Sequence, residues 1–391
     1  MPLHRYFLRD WTDTALNKPL LDQFRIALIT PDFGNPTAEE LRWIAENQVP
    51  SPNRVIATFE RQLSEYANRH ALTTASGTAA LHLALATLGI GAGDEVICSD
   101  FTFAATLNAI IYAGATPCLI DSEESTWGMD PELLRITLAR KAKQGKLPKA
   151  VILTHVLGHP ANLPEIIKLC QAYHVFLIED AAGSLGSTLE DQPLGTWGDI
   201  GVWSFNYNKI LSTGGGGALI TGVDSFLDRA NYLSTQAKSN KSFYFHKEVG
   251  YNYRINGFGA GMGAVLWPDL ASRVSGKQRV RAAYQNGLAD LPVTWQTLLP
   301  NAEGNFWLNG VLLPSVEVRQ RVQALLAEQR IECGRLWKPM HQQPAYTHHS
   351  FVGSGVGDTF FELGIALPSD ANLGEEEIEE VCYWVKKGCD Q

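Results

Sequence analysis

From residue 71 to residue 221 the chain alternates short apolar runs with segments of helical character, and this rhythm constrains the fold more than any other feature. ALTT (71–74), EVIC (95–98), PCLID (117–121), KAVILTH (149–155), VFLIED (175–180), IGVWSF (200–205) and GALIT (217–221) read as strands. TAALHLALATLG (78–89) and AATLNAIIYAG (104–114) read as helices stopped by Gly89 and Gly114, and PELLRITLARKAKQG (131–145) as a helix with proline in its first turn. Continuously apolar strands need cover on both faces, and the intervening helices supply it, so the pattern predicts an α/β fold with a mostly parallel sheet. Upstream, Phe59, Leu63 and Tyr66 recur at helical spacing within RVIATFERQLSEYANRH (54–70), whereas residues 1–50 read as irregular. Beyond about residue 250 the alternation loosens. WLNGVLLPS (307–315) and VRQRVQALLAEQRIE (318–332) read as a strand and a helix of a smaller α+β domain. A large domain over 1–250 and a small one over 251–391 suit a chain of 391 residues.

Composition narrows the classes of function. With 45% hydrophobic and 19% charged residues, the chain can bury a sizeable interior, which excludes disorder. The net charge is −9 and the basic residues are scattered, which argues against nucleic acid as a partner, although local groups can still bind a phosphorylated substrate. No apolar run reaches membrane-spanning length and MPLHRYFLRDW has no signal core, so the expectation is a cytoplasmic protein that does not engage a membrane. Cys98, Cys118, Cys170, Cys333, Cys382 and Cys389 form no CxxC pair, which reads as buried or incidental thiols rather than a disulfide or metal framework.

The chemistry concentrates around Lys209, which follows the strand-like IGVWSF and precedes the run Gly214–Gly217. A lysine held at an element end beside apolar residues loses solvation, which lowers its pKa and frees the amine as a nucleophile and base. Glycines nearby let backbone approach a ligand closely. Such a layout suits a Schiff-base lysine, and the alternative is an exposed loop lysine. Three further signals precede it in the chain. Ser76-Gly77-Thr78 sits between a strand and a helix, where free N–H groups and the helix dipole make an anion site; alone, it reads equally as a helix cap. Phe103 lies on a loop entering a helix and reads either as a ring-stacking aromatic or as core. Asp180 closes a buried strand, where a protonated pyridine nitrogen would partner its carboxylate; an N-cap is the competing reading. Ser204 reads as a phosphate contact or as an ordinary strand-edge serine.

This ordered set resembles the fold-type I enzymes that use pyridoxal 5′-phosphate (PLP), and more narrowly the DegT/DnrJ/EryC1/StrS sugar aminotransferases. The resemblance runs from about Arg54 onward. It is carried by FERQLSEYANRHALTTASGTAALHLALATLGIGAGDEVI, FTFAATLNAIIYAGATPCLID, IEDAAGSLGS, GDIGVWSFNYNKILSTGGGGALIT, GYNYRINGFGAGMGA, LWKPMHQQP and GIALPSDANLGEEE. It implies that Lys209 anchors the cofactor, that Asp180 pairs with the pyridine nitrogen, that Phe103 stacks on the ring, and that Ser76, Gly77, Thr78 and Ser204 hold the phosphate. Asn252, in GYNYR, matches an asparagine that reaches the cofactor phosphate of a neighbouring subunit, which implies an obligate homodimer with shared active sites.

The implied reaction moves an amino group from L-glutamate to a nucleotide-linked keto sugar, with Lys209 shuttling the proton. LGHP (157–160) and LWKPMHQQP (336–344) look most like the bacillosamine-type branch acting on UDP-linked 4-keto-6-deoxy-N-acetylhexosamine. A GDP-perosamine-type enzyme, or one aminating C3 or C4 of a dTDP-sugar, is the rival reading. His159, Lys338 and His341 are candidate contacts for sugar or diphosphate, and read equally as loop polarity. His155 reads either as a neighbour of the cofactor or as a structural strand-end histidine. The chain departs from the family pattern at Gly183, where a polar residue is common, at Tyr207, where glycine is usual, and at Gly334-Arg335. Two other classes stay open at this level: a non-catalytic PLP-binding regulator, and another fold-type I reaction such as a desulfurase, for which Cys333 is the only loose candidate.

Overall fold

The computed structural model describes residues 24–29, 36–48 and 52–390. Its centre is an eight-stranded sheet in the order His70–Thr74, Gly217–Thr221, Ile200–Ser204, Phe176–Asp180, Ala150–Thr154, Glu95–Ser99, Thr116–Ile120, Ser350–Val352. Every adjacent pair is parallel except the two made by Gly217–Thr221, which runs antiparallel to both neighbours. The apolar runs explain themselves in this setting. Val96 and Cys98 join one buried cluster with Leu81, Leu85 and Ile110, while Ile97 between them joins another with Phe59, Leu153 and Trp203. Successive strand residues point to opposite faces, so a sheet covered on both sides needs apolar residues without interruption.

Three features differ from the sequence expectation or lie outside it. The stretch read as irregular contains a helix, Ala38–Gln48; residues 1–23, 30–35 and 49–50 of that stretch lie outside the described residues. GFGAGMGAVL is a helix over Gly257–Leu266 despite its glycines. A Cβ at Gly263 would lie 2.5 Å from the Phe59 ring, so the low intrinsic helix propensity of glycine is outweighed by close packing against the helix Pro52–Ala67. Finally, Ser350–Val352 leaves the C-terminal region to pair with Thr116–Ile120 at the edge of the large sheet.

The C-terminal region has its own four-stranded antiparallel sheet, ordered Thr294–Trp295, Asn309–Leu312, Gly364–Leu367, Gly334–Arg335. Helices Leu270–Gly287, Val316–Glu328 and Glu375–Cys389 pack on it through Val280, Val322, Leu326, Val381 and Val385. Ile26 is buried in this same core and bridges to Ile331. The Asp121 carboxylate ties the region to the large sheet: Oδ2 accepts from the N–H groups of Ser354, Gly355 and Val356 at 3.1, 2.7 and 3.0 Å, and Oδ1 from that of Gly357 at 3.0 Å. Among the described residues no helix is long and apolar enough to cross a membrane.

Candidate active site

Open α/β sheets place ligands outside the carboxyl ends of their parallel strands. Here that edge forms one wall of a cavity of about 870 Å³, bounded by Thr154, His155, Asp180 and Ser204 from strand ends, Ser76–Thr78 from a helix start, and Lys209. Strands Ile200–Ser204 and Gly217–Thr221 are antiparallel neighbours with Ser204 opposite Gly217, so the lysine's loop is the connection of a wide hairpin. Phe205 N–H donates to Gly216 at 2.9 Å and Thr213 N–H to Phe205 at 3.0 Å, which closes the base of that loop.

Lys209 is half-buried, and its Nζ stands 3.4 Å from the centroid of the Trp307 ring. Burial drives its amine down to about 7, against the opposing pull of the Asp180 charge. Asp180 is buried and held on both oxygens, Oδ2 by the Thr106 hydroxyl at 2.6 Å and Oδ1 by the Ala182 N–H at 3.2 Å. Thr102 joins Thr106 and Thr154 at 2.9 Å each, extending a chain of hydroxyls behind the carboxylate. The helix Gly77–Thr87 is capped by Ser76, whose hydroxyl accepts from Ala79 N–H at 3.0 Å, and its first residues line the cavity. A Cβ at Gly77 would lie 3.0 Å from Ser204 Cβ and 3.2 Å from its Oγ, so glycine lets the helix start and that hydroxyl converge.

The structure thus brings Ser76, Gly77, Thr78, Phe103, Asp180, Ser204 and Lys209 to one cavity. Phe103 is 62% exposed and faces that space, which removes the core reading. Asn252 is exposed and lies outside its own chain's cavity. His155 lines the cavity but is held from behind: Nδ1 accepts from Ala161 N–H at 3.2 Å and Nε2 donates to Glu179 at 3.0 Å. Glu179 also accepts from the N–H groups of Gly195, Trp197 and Gly198, so this carboxylate supports a turn and is not free for catalysis.

The three candidate sugar or diphosphate contacts lie elsewhere. His159 is fully buried edge-on to Phe306, and burial together with the Arg281 charge holds its ring well below the usual histidine range. The His341 ring hydrogen-bonds Asp100 at 2.7 Å, stacks on Phe351 and approaches Asp358 at 3.4 Å. Lys338 sits near the Phe361 ring, outside the cavity wall. None of the three lines this cavity: His341 is engaged by Asp100, Lys338 lies along its loop, and His159 is enclosed with neither ring nitrogen hydrogen-bonded. Gly334 and Arg335 form the strand paired with Gly364–Leu367 and also lie off the cavity. Cys333 is half-buried and outside the cavity, and burial pushes its thiol up to about 12, which argues against a reactive thiolate at this site.

Other wall residues carry no local motif. Trp307 and Trp337 add aromatic rings to the wall, and Glu332 and Leu28 also line it, joined by the Leu28 N–H to the Glu332 carboxylate at 2.7 Å. Gly183 has a direct explanation: a Cβ there would lie 2.6 Å from Trp307 Cε3, so the indole occupies the space of the missing side chain. Thr106 could have been found from its place one helical turn after Phe103; Trp307 had no such signal.

The chain is similar to known proteins over most of its length. The sequence model of the DegT/DnrJ/EryC1/StrS aminotransferase family matches residues 31–386. EpsN of Bacillus subtilis, named as a pyridoxal phosphate-dependent aminotransferase, is 38% identical over 352 residues, 87% of this chain and 90% of its own. GDP-perosamine synthase of Escherichia coli O157:H7 is 31% identical over 335 residues, 85% of this chain and 90% of its own. The crystal structure of a DegT/DnrJ/EryC1/StrS aminotransferase from Brucella abortus superposes with a TM-score of 0.85 at 27% identity, covering 90% of this chain and 96% of that one.

Proposed function

The chain belongs to the DegT/DnrJ/EryC1/StrS aminotransferase family, which makes it a PLP-dependent sugar aminotransferase, and on that premise we propose that it aminates C4 of a UDP-linked 2-acetamido-2,6-dideoxy-4-keto-hexose with L-glutamate as donor, in the synthesis of a surface polysaccharide. The observation that carries the catalytic reading is the pairing, across one cavity, of a half-buried lysine amine with a buried strand-end carboxylate. The sugar assignment leans on LGHP and LWKPMHQQP. The GDP-perosamine synthase relative supports a GDP-linked 4-keto sugar as the second reading.

The residues suit the cofactor. Gly77 leaves open a cradle that a Cβ would narrow against Ser204, beside the positive end of a helix, as a phosphate requires. When bound, PLP supplies an electron sink that stabilises negative charge on the carbon losing or gaining the amino group. Lys209 Nζ would hold the cofactor covalently and, once released, would be the base that takes the proton from the donor carbon and the acid that delivers one to the sugar carbon. Asp180, its two oxygens fixed by Thr106 and Ala182, would keep the pyridine nitrogen protonated. Phe103 would cover a ring face, while Gly77, Thr78, Ser76 and Ser204 would receive the phosphate. Trp307, Trp337 and Leu28 limit water at the reacting carbon. Asn252, exposed and outside its own chain's cavity, would serve the phosphate of a second subunit in a homodimer.

Borohydride treatment should fix the cofactor on Lys209, located by peptide mass spectrometry. Purified protein with glutamate should then convert UDP-linked 4-keto sugar faster than its GDP-linked counterpart. Turnover by Lys209→Ala protein would refute the assigned mechanism, and preference for the GDP-linked sugar would install the second reading.

A further inference from the structure

We propose that Trp307 is a positioning residue for Lys209: the face of its indole holds the lysine amine whenever that amine is not bonded to cofactor, and Gly183 is glycine because the ring needs its space. This rests on Lys209 being the amine that anchors the cofactor. Three sets of contacts fix the relation. The amine stands 3.4 Å from the ring centroid. The indole N–H donates to the carbonyl of Asn208 at 2.6 Å, so the ring is fastened to the residue that immediately precedes the lysine. Asn305 then locks the ring's own backbone to the loop after Asp180: its Nδ2 donates to Gly183 at 2.9 Å and Leu185 at 2.8 Å, and its Oδ1 accepts from Trp307 N–H at 2.8 Å. Gly183 lies under the indole, where a Cβ would come within 2.6 Å of Cε3.

Trp307 is only 5% exposed, which leaves little ring surface for a sugar to stack on and favours a role directed inward, at the lysine. An aromatic face attracts an ammonium through its quadrupole, more strongly where water is excluded. It therefore opposes the burial that favours the neutral amine, and it gives the ammonium a fixed place from which to return a proton. The other titratable groups around the cavity are Asp180 at the strand end, His155 behind it, Tyr207 on the lysine's loop and Glu332 in the wall.

The test uses full-length protein stripped of cofactor. The rate of recombination with PLP, followed by absorbance across pH, reports the fraction of Lys209 present as free amine. Removing the ring face weakens the ammonium, so Trp307→Leu should lower the midpoint by roughly one pH unit. Trp307→Phe keeps a face but loses the N–H to Asn208, and should stay within about 0.3 of wild type. Gly183→Ala pushes the ring aside without removing it and should move the midpoint down as well; it decides the matter if Trp307→Leu fails to fold. Unchanged or raised midpoints with cofactor still fixed by borohydride on Lys209 would overturn the role of Trp307 alone. Fixation at another residue would overturn the assignment of Lys209 and this inference with it.

Discussion

The hydroxyl of Thr106 donates a 2.6 Å hydrogen bond to Oδ2 of Asp180, one helical turn beyond the cavity-facing Phe103. A hydrogen bond to a charged group contributes about 1.5–3 kcal/mol, and its loss is felt fully where the acceptor is buried. Thr106→Val keeps the shape and removes the donor. We expect kcat to fall roughly 10-fold or more, with weaker cofactor retention, because Asp180 would then be held only through Ala182. Steady-state kinetics together with cofactor titration checks this; an unchanged kcat would mean that the threonine merely fills space.

Gly77→Ala separates two effects that usually travel together. The φ of Gly77 is not positive, so alanine suits the helix start and gains about 0.5–1 kcal/mol of backbone entropy. Its methyl, however, would press on Ser204 at 3.0 Å, inside the cradle proposed for the phosphate. Denaturation midpoints should therefore hold or rise slightly while the cofactor dissociation constant rises about tenfold, equivalent to ~1.4 kcal/mol. Equilibrium dialysis of cofactor against both proteins reads the second effect directly.

The amine of Lys209 is lowered from 10.5 to about 7 by burial. Between those values the unfolded chain holds a proton that the folded chain does not, so folding stability rises with pH across that window and is lost as pH falls through about 7. Lys209→Met has no such proton. Cofactor-free wild type should gain on the variant by roughly 2 kcal/mol between pH 7 and pH 10, less than the full shift would give because the amine opens onto a cavity. Urea denaturation at several pH values measures the gap, and a constant difference would show that the lysine is not desolvated.

His341 takes no part in the cavity wall, yet its ring is the side-chain partner of buried Asp100. Burial pushes the Asp100 carboxyl up to about 6, against the hydrogen bonds from His341. His341→Ala should cost about 2 kcal/mol of stability by leaving that carboxyl short of a donor, while KM for the nucleotide sugar stays within about twofold. A large rise in KM with unchanged stability would return His341 to the substrate.

The sequence made legible whatever was written locally. The parallel strands showed because each residue meets a packed layer, as Val96, Ile97 and Cys98 do on alternating faces. Ser76 to Thr78, Phe103, Asp180 and Lys209 showed because each sits at an element end and they follow one another in chain order. What escaped is set by contacts between distant segments. The helix Gly257–Leu266 is stabilised by Phe59 and its neighbours, not by its own glycine-rich sequence. The reversed direction of Gly217–Thr221 follows from a hairpin closed around Lys209, and an apolar run does not encode its own direction. Trp307 reaches the site from beyond residue 300, and its tie to Gly183 turns an odd glycine into one half of a complementary pair.

The strand Ser350–Val352 also limits how such enzymes can be recombined. It completes the edge of the cofactor-binding sheet, and the turn that follows it supplies the Asp121 carboxylate with four backbone donors. A chimera joined at residue 250 would bring in a foreign counterpart of Ser350–Val352, and a poor match in register would leave Thr116–Ile120 as a bare edge, open to intermolecular pairing. Exchange of C-terminal regions between relatives therefore needs two junctions, with the stretch from about Pro339 to Gly357 staying with the large sheet that it completes.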